Sequence, residues 1–432
     1  MLKKTVLPLV LFAVIAAPVK SEGQELLSLS DAVDRALEQN YGIRIVLQNE
    51  AVAETNDSWG AAGRFPSISI GVTTSGRTDY NDTGDVSTMS LSPGLSLNWV
   101  LFNGYSVRVN KEKLETLVSL SRGSTAVLVE QTVQSVVQTY YRALLEREKL
   151  RVLEEVMNLS SDRYDYMQSK KEIGSAVTYD ILQAKNAWLE DKAANMLQEV
   201  TYTNALRDLN FLMGADGGTT YTLTDEFGAQ LNDYDWEGLN GKMLSSNKTL
   251  RNQYINMALL EKEIALAKSL YYPSLTLRSG VDASNSRIKS GGANAISRDS
   301  QDVYTSLSLN FPLFDGGARK RAMAIARIRE ETGKIETEEM KHSLTNQLGK
   351  LFDLYEVRKD LFNVTEENLA AARLNMQISE DKFKAGTINS FNYRDVQLIY
   401  LNASLNRLNA IFNLIDTDTA LLRLTGGIIT EK

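Results

Sequence analysis

The stretch Leu95–Arg108 has the sequence LSLNWVLFNGYSVR, and a second copy, LSLNFPLFDGGARK, occupies Leu307–Lys320, at an offset of 212 residues. In both copies apolar residues alternate with serine and asparagine until a glycine turn, at Gly104 in the first and at Gly316 in the second. Alternation with a period of two predicts a strand with one apolar and one polar face. Glycine directly after Asn or Asp predicts a sharp turn. We interpret both copies as strand-to-helix corners.

The polar face of both predicted strands consists mostly of serine and asparagine, with few charges. Such a face suits a narrow, water-filled lumen behind a wall whose other side contacts lipid. The same alternation is also typical of a half-buried strand in a soluble β-sandwich. The alternation alone does not decide between these two interpretations.

Composition excludes several kinds of site. The 432-residue chain has no cysteine, so disulfides and thiolate chemistry are excluded. Its one histidine, His342, lies in a charge-rich helical run, which leaves little room for a zinc or copper site. No P-loop, G-x-S-x-G or H-E-x-x-H motif occurs. We therefore predict no enzyme activity, no catalytic residue, no metal site and no cofactor.

The N-terminus has the pattern of a secretory signal peptide. Two lysines precede an apolar core from Thr5 to Ala17, and small residues follow. This core is shorter than the roughly 20 apolar residues of a spanning helix. We predict a signal peptide over residues 1–21, with cleavage after Ala17 as the alternative. Cleavage after Ser21 removes three lysines and changes the formal charge from −7 to −10. Such an acidic chain gives no indication of nucleic-acid binding.

Long helical runs follow the corners. From Ser106 to about Lys170 there is no proline, and apolar residues recur at i, i+3, i+4 spacing. A run of this length, on the order of 100 Å, is typical of a coiled coil rather than of a globular helix. A break around Gly174 separates it from a second helix, which we predict over Thr178–Met213.

The second half of the chain repeats the first. Gly174 and Gly214 recur as Gly386 and Gly426 at the offset of 212, and the segment RFPSISI recurs as YYPSLTL. This self-similarity predicts an internal two-fold repeat. We place the first repeat at residues 22–225 and the second at 226–432. Each is predicted to contain helices, a β-hairpin (65–102 and 272–314) and two long helices (104–213 and 316–425).

Local signals predict further details of the elements. Ser30 is a candidate cap for the first helix of the mature chain, and a second helical run follows to about Ala62. The first strand is predicted over Ser67–Thr74, and the polar segment Arg77–Gly84 is predicted as a loop. In the second hairpin a longer polar loop is predicted over Ser284–Ser300.

Four strands cannot close a membrane barrel, because the smallest such barrels have about 8 strands and lipid does not tolerate open sheet edges. If the strands enter a membrane, the chain must therefore self-associate, and three chains would supply 12 strands. The alternative is a periplasmic coiled-coil scaffold without a pore, whose strands form a sandwich. That alternative leaves the lipid-like strand faces unexplained.

The chain resembles the TolC family of outer-membrane efflux ducts. The resemblance covers nearly all of the mature chain and rests on the LSLSDAVDRALEQN opening, the two Pro-led strands, both corners and the turns at Gly174 and Gly386. It implies an α+β membrane protein: a homotrimer with a 12-stranded β-barrel in outer-membrane lipid, continued by a long α-helical coiled-coil tunnel in the periplasm. It also implies passive export, with a periplasmic adaptor protein and an inner-membrane pump of the RND, ABC or MFS type as partners.

The resemblance further implies where the duct closes. Aligned from the two turns, the acidic positions of the family's constriction fall on Asp180, Asn392 and Asp395, so one acid is replaced by an amide. The family's lock arginine falls on Ile388 and its tyrosine on Phe383. This chain thus departs from the polar contacts that hold some members shut. The family's lipidated cysteine is absent, so no lipid anchor is expected.

Two kinds of site residue follow from the resemblance. Three copies of Asp395 would form a negative ring that favours cations. The alternative is one more solvated helix residue, since the chain has 54 acidic residues. The turns that would contact the adaptor are also helix C-caps in which glycine takes a left-handed conformation. They consist of Ile173, Gly174 and Ser175 in the first repeat and of Ala385, Gly386 and Thr387 in the second.

Overall fold

The computed structural model describes residues 25–80, 82, 84–291 and 294–429. The predicted signal peptide lies outside these residues. The described elements, in chain order, are β1 (Glu25–Leu27), α1 (Leu29–Gln39), α2 (Tyr41–Asn56), β2 (Ser67–Asp79), β3 (Val86–Asn103), α3 (Ser106–Glu172), α4 (Thr178–Met213), β4 (Tyr221–Leu223), α5 (Trp236–Ser246), α6 (Lys248–Ser269), β5 (Ser274–Ser290), β6 (Ile296–Asn310), α7 (Ala318–Lys384) and α8 (Ser390–Leu424).

The first helix begins at a capping box rather than at the predicted cap, Ser30. The Ser28 hydroxyl accepts a hydrogen bond from the Asp31 amide at 3.2 Å, and the Asp31 carboxylate accepts one from the Ser28 amide at 3.2 Å. A box requires an acidic or amide side chain three residues after the serine. Asp31 satisfies this for Ser28, whereas Val33 cannot do so for Ser30. The second helix is also shorter than predicted and ends at Asn56.

Four long strands form one antiparallel sheet in the order β2-β3-β5-β6. Its register aligns side chains of one kind in rows: Ile70, Leu95, Val281 and Val303 face one another across all four strands. Because partners in register lie on the same face, the sheet has one apolar and one polar face, as the alternation predicted. We call the first of these the apolar face; it includes Ile68, Ile70, Val72, Leu91, Leu95, Leu97, Trp99, Leu277, Val281, Val303, Leu307 and Leu309.

The strands extend further than the sequence indicated. The loop predicted over Ser284–Ser300 is wrong, because β5 continues to Ser290 and β6 begins at Ile296. Polar side chains support these strand ends by bonding across the sheet; the hydroxyl groups of Ser90 and Ser286, for example, lie 3.0 Å apart. Likewise β2 continues into the first predicted loop.

Two pairs of very long helices follow the hairpins of the sheet. Helix α3 has 67 residues and α4 has 36, with the predicted bounds of α4 confirmed; α7 has 67 and α8 has 35. At about 1.5 Å per residue the longest are about 100 Å long. Helix α3 packs against α4 and α8, and α7 packs against α8. Within the described residues, no helix is both long enough and apolar enough to cross a bilayer.

A small layer is attached to the helices between their ends. Here β1 and β4 pair in parallel, and Leu27 packs with Leu144 and Leu209, each of them fully buried. The buried Tyr140 hydroxyl donates to the Asp225 carboxylate and lies 3.0 Å from the Leu27 carbonyl oxygen. Burial, followed by the bond to Asp225, raises the pKa of Tyr140, so its hydroxyl stays protonated and donating.

Candidate functional site at the end of the helical hairpins

The turns that end α3 and α7 have the same backbone geometry. Gly174 has φ +75° and Gly386 has φ +74°. In the first turn the Ser175 amide donates to the Lys170 carbonyl at 2.7 Å, and in the second the Thr387 amide donates to the Lys382 carbonyl at 2.9 Å. These six-to-one bonds define Schellman motifs, which satisfy the last carbonyls of a helix and require the left-handed conformation that glycine adopts readily.

The fold brings both turns to one end of the molecule, which we call the helical tip. The Tyr166 hydroxyl of α3 donates to the Lys384 carbonyl at the end of α7, at 3.3 Å. Between the turns lies an open groove of about 870 Å³. Its walls include Lys170, Ser175, Asp180 and Gln183 from the first hairpin and Gly386, Thr387, Phe391 and Asn392 from the second.

An aromatic cluster forms the floor of this groove. The Phe383 ring stacks on Tyr393 with 4.7 Å between centroids and meets Tyr166 edge-on at 5.1 Å. Met167 and Ile181 belong to the same cluster, which joins all four long helices. Phe383 is only 6% exposed. Its side chain therefore supports the tip from inside the chain, whereas the other predicted constriction residues lie nearer the surface.

The remaining predicted constriction residues lie on two helices. Asp180, half-buried on α4, and Asn392, exposed on α8, both line the groove. Asp395 is exposed one turn further along α8, on the same side as Asn392 because the two are three residues apart. Thus the structure brings Asp180 and Asn392 together, while Asp395 lies beside the groove.

A buried ion pair at the tip has no counterpart in the sequence interpretation. Arg394 of α8 donates two hydrogen bonds to the Asp191 carboxylate of α4, each of 2.7 Å. Both side chains are at most 14% exposed. Bidentate geometry of this kind is the strongest form of an arginine–carboxylate contact. The pair connects the two helical hairpins, and because its partners are 203 residues apart no local pattern could have indicated it.

A second arginine lies against this pair. Arg163 of α3 is 4% exposed and donates to the Ser390 carbonyl at 3.1 Å. Burial, reinforced by the charge of Arg394, lowers the pKa of Arg163 to about 10, and Asp191 acts in the opposite direction. Asp191 is thus the counter-ion of a buried cluster with two guanidinium groups. The tip is a place where helices, a groove and buried charge meet, which suits a binding and gating surface.

Comparisons with known proteins identify the class. The family model described as outer membrane efflux protein matches residues 32–215 and 239–427. The chain therefore belongs to the outer membrane efflux protein family, as predicted. Among individual proteins, it is 18% identical to the cation efflux system protein CusC of Escherichia coli K12 over 84% of this chain and 79% of CusC. It is 20% identical to the outer membrane protein TolC of Vibrio cholerae, over 79% and 78%.

Solved structures of other proteins have the same fold as this chain. The CmeC outer membrane channel of Campylobacter jejuni superposes with a TM-score of 0.76 at 14% identity and covers 94% of this chain and 87% of its own. A CusC structure gives 0.73 at 15% identity, with 92% of each chain covered. This chain is an exit duct of the outer membrane, from a family of channel proteins that work in tripartite efflux systems with an adaptor and an inner-membrane pump. The predicted location in the outer membrane is confirmed as well.

Proposed function

We propose that three copies of this chain close a 12-stranded β-barrel in the outer membrane, and that their long helices form one periplasmic tunnel. Cargo would pass without energy input from the helical tip to the outside. One observation carries the proposal: within the described residues, the four-stranded sheet pairs with no further strand at its β2 and β6 edges.

The edges and the apolar face together favour a closed barrel in lipid. The edge strands have 13 and 15 residues, and long unpaired edges promote uncontrolled association in water. In lipid each unsatisfied backbone group costs several kcal/mol. Ile70 is 80% and Val303 78% exposed on the apolar face of a single chain. Pairing β6 of one copy with β2 of the next satisfies the edges and leaves that face against lipid.

We further propose that residues 22–225 and 226–432 are two copies of one unit. The same contact supports the division in both halves. Asn40 caps α2 and donates to the Leu212 carbonyl at 2.8 Å, while Asn247 caps α6 and donates to the Leu424 carbonyl at 2.9 Å. An N-terminal helix of each unit is thereby attached to the C-terminal end of its own long hairpin.

At the tip we propose two roles. The turns Ile173–Ser175 and Ala385–Thr387 would contact the adaptor, and their glycine-bounded groove suits a helical partner because its floor is apolar and its walls are polar. Asp180, Asn392 and Asp395 would line the constriction, with Phe383 as internal support. The pump would belong to the RND, ABC or MFS class and would supply the energy.

The test is the oligomeric state and conductance of the purified full chain. In detergent, native mass spectrometry should give the mass of three chains, and insertion into a planar bilayer should give discrete single-channel steps. The scaffold alternative predicts the opposite result. A single copy that stays dissolved in buffer without detergent, and that gives no conductance, would contradict the duct and favour the scaffold.

Asp395→Ala should weaken block of the channel by a trivalent cation at least tenfold. A ring of three carboxylates attracts a trivalent cation, and a tenfold loss corresponds to about 1.4 kcal/mol. The measurement is the blocking constant from single-channel recordings. Asn392→Asp adds a second ring of acids and should strengthen the block. Asp381→Ala removes an exposed acid of α7 near the tip and serves as the control. Equal block in wild type and Asp395→Ala would exclude Asp395 from the constriction.

A further inference from the structure

Two basic side chains interrupt the apolar face at the end of the sheet farthest from the helices. Arg287 and Lys289 of β5 lie opposite Met89 and Ser87 of β3. Met89 is two residues before Leu91 and therefore belongs to the same face as the apolar rows. Both basic side chains are exposed. On β3 this face is apolar as far as Met89, whereas on β5 and β6 Asn285, Gln301 and Asp299 precede the cations. The register places both cations on the side of the sheet opposite the polar, lumen side.

These cations have no charge partner among the residues that the structure describes. Neither Arg287 nor Lys289 forms an ion pair or a side-chain hydrogen bond there, whereas two acids nearby, Asp79 and Asp299, have other partners. Asp79 pairs with Arg77 at 2.7 Å. Asp299, diagonal to Arg287 on the same face, accepts a bond of 2.6 Å from Asn285. The two positive charges are therefore available to an external anion.

A hollow of about 580 Å³ lies beside the pair. It combines apolar and cationic walls, which is the combination that an amphiphile requires. Besides Arg287 and Lys289, the hollow is lined by Arg77, Met89, Asn294 and Ala295, among others.

The two cations lie at the level along the membrane normal where lipid headgroups are expected. From Trp99 to Met89 the apolar face covers ten residues of β3, about 34 Å along a strand at about 3.4 Å per residue. With the strand tilt of about 40° usual in such barrels, this is about 26 Å along the membrane normal, close to their apolar band of about 25 Å. Trp99 lies near the corner into α3. If the helices are periplasmic, the cations lie at the outer surface.

We propose that Arg287 and Lys289 bind the phosphate groups of a phosphate-bearing lipid in the outer leaflet of the outer membrane. Arginine can hold a phosphate through two parallel hydrogen bonds, and lysine adds a point charge. The acyl chains of the lipid would lie along the apolar face below. The site rests on the proposed barrel and its orientation, and a trimer would carry three copies of it.

The experiment compares lipid binding to the full chain in detergent by native mass spectrometry. The probes are diphosphoryl lipid A, the same lipid without its phosphates, and inorganic phosphate as a competitor. Arg287→Gln/Lys289→Gln should weaken the binding of diphosphoryl lipid A about 30-fold, which is about 2 kcal/mol at about 1.4 kcal/mol per tenfold change. The matched control is Arg278→Gln/Arg298→Gln, which removes two charges from the polar face of β5 and β6.

Support requires loss of binding in the first double variant, retention in the control, and weaker binding of the dephosphorylated lipid. Equal binding by both variants, or equal binding of both lipids, would overturn the proposal, as would displacement of the lipid by millimolar inorganic phosphate alone. Single-channel conductance of the same samples tests the duct separately. If wild type conducts and only the lipid preference fails, the lipid site is wrong and the duct stands.

Discussion

Replacing Gly104 with alanine should prevent most of the expressed protein from folding. Gly104 has φ +68°, which costs an alanine about 1–2 kcal/mol. More importantly, a Cβ at this position would lie 2.2 Å from the Ser269 carbonyl oxygen and 2.8 Å from Cβ of Tyr272. Neither atom can rotate away, because both are fixed by the backbone. Relief requires a backbone shift at the junction between α6 and β5, so we expect a total loss on the order of 4 kcal/mol.

Gly174→Ala is the matched control for this prediction. Its φ of +75° is nearly the same, but a Cβ there would meet nothing within 4 Å. It should therefore show only the conformational cost of about 1–2 kcal/mol. The measurement is the fraction of expressed protein recovered folded in detergent, together with its thermal unfolding. Equal yields for the two variants would show that the close approach of Gly104 to Ser269 does not limit folding.

This corner also shows what local sequence can predict. The Asn-Gly pair indicated the turn, and Gly104 does take the left-handed conformation. The next residue, Tyr105, is also left-handed at φ +69°, which nothing in its side chain would indicate. Its ring contacts Phe102 and Tyr272 edge-on at 5.2 and 5.9 Å. Contacts to a distant segment hold this strained conformation, so it could not be predicted from the neighbouring residues.

The difference between local and distant contacts also explains why the ends of the strands were predicted wrongly. The central rows were predictable because apolar and polar residues alternate strictly there. The strand ends are rich in Ser, Asn and Asp. These residues are frequent in loops, and Asn and Asp have low intrinsic strand propensity. Their strand conformation depends on partners across the sheet, such as Asp299 for Asn285. Periodicity likewise located the helical tip, but it gave no indication of which charged residues of those helices meet inside it.

The second large effect concerns the ion pair between Arg394 and Asp191. Removing one partner of a buried pair leaves the other charge without compensation, which typically costs about 3–5 kcal/mol. Arg394→Ala leaves the Asp191 carboxylate, 7% exposed, with Arg163 as its remaining cation nearby. Because the pair joins α4 to α8, the loss should loosen the contact between the hairpins at the tip while leaving the distant sheet unchanged.

Hydrogen exchange measures this loosening directly. In Arg394→Ala, amides near Asp191 and in the first turns of α8 should exchange up to about 1,000-fold faster, the equivalent of about 4 kcal/mol of local opening free energy. Strand amides of β3 and β5 should exchange at the wild-type rate. The companion variant Asp191→Leu/Arg394→Leu should recover part of the loss, because apolar residues of similar volume often replace a buried pair without penalty.

Lys384→Ala is the control variant, because it removes an exposed ion pair instead of a buried one. Lys384 also forms an ion pair at the tip, with Glu380 at 2.6 Å, but its side chain is 67% exposed. Exposed pairs of this spacing contribute little to stability, so exchange should change by no more than about twofold. Similar exchange in Lys384→Ala and Arg394→Ala would mean that burial gives the Asp191 pair no special weight. We expect fast exchange only in Arg394→Ala, together with a larger open-channel fraction in bilayer recordings. This result would show that the ion pair holds the two hairpins together.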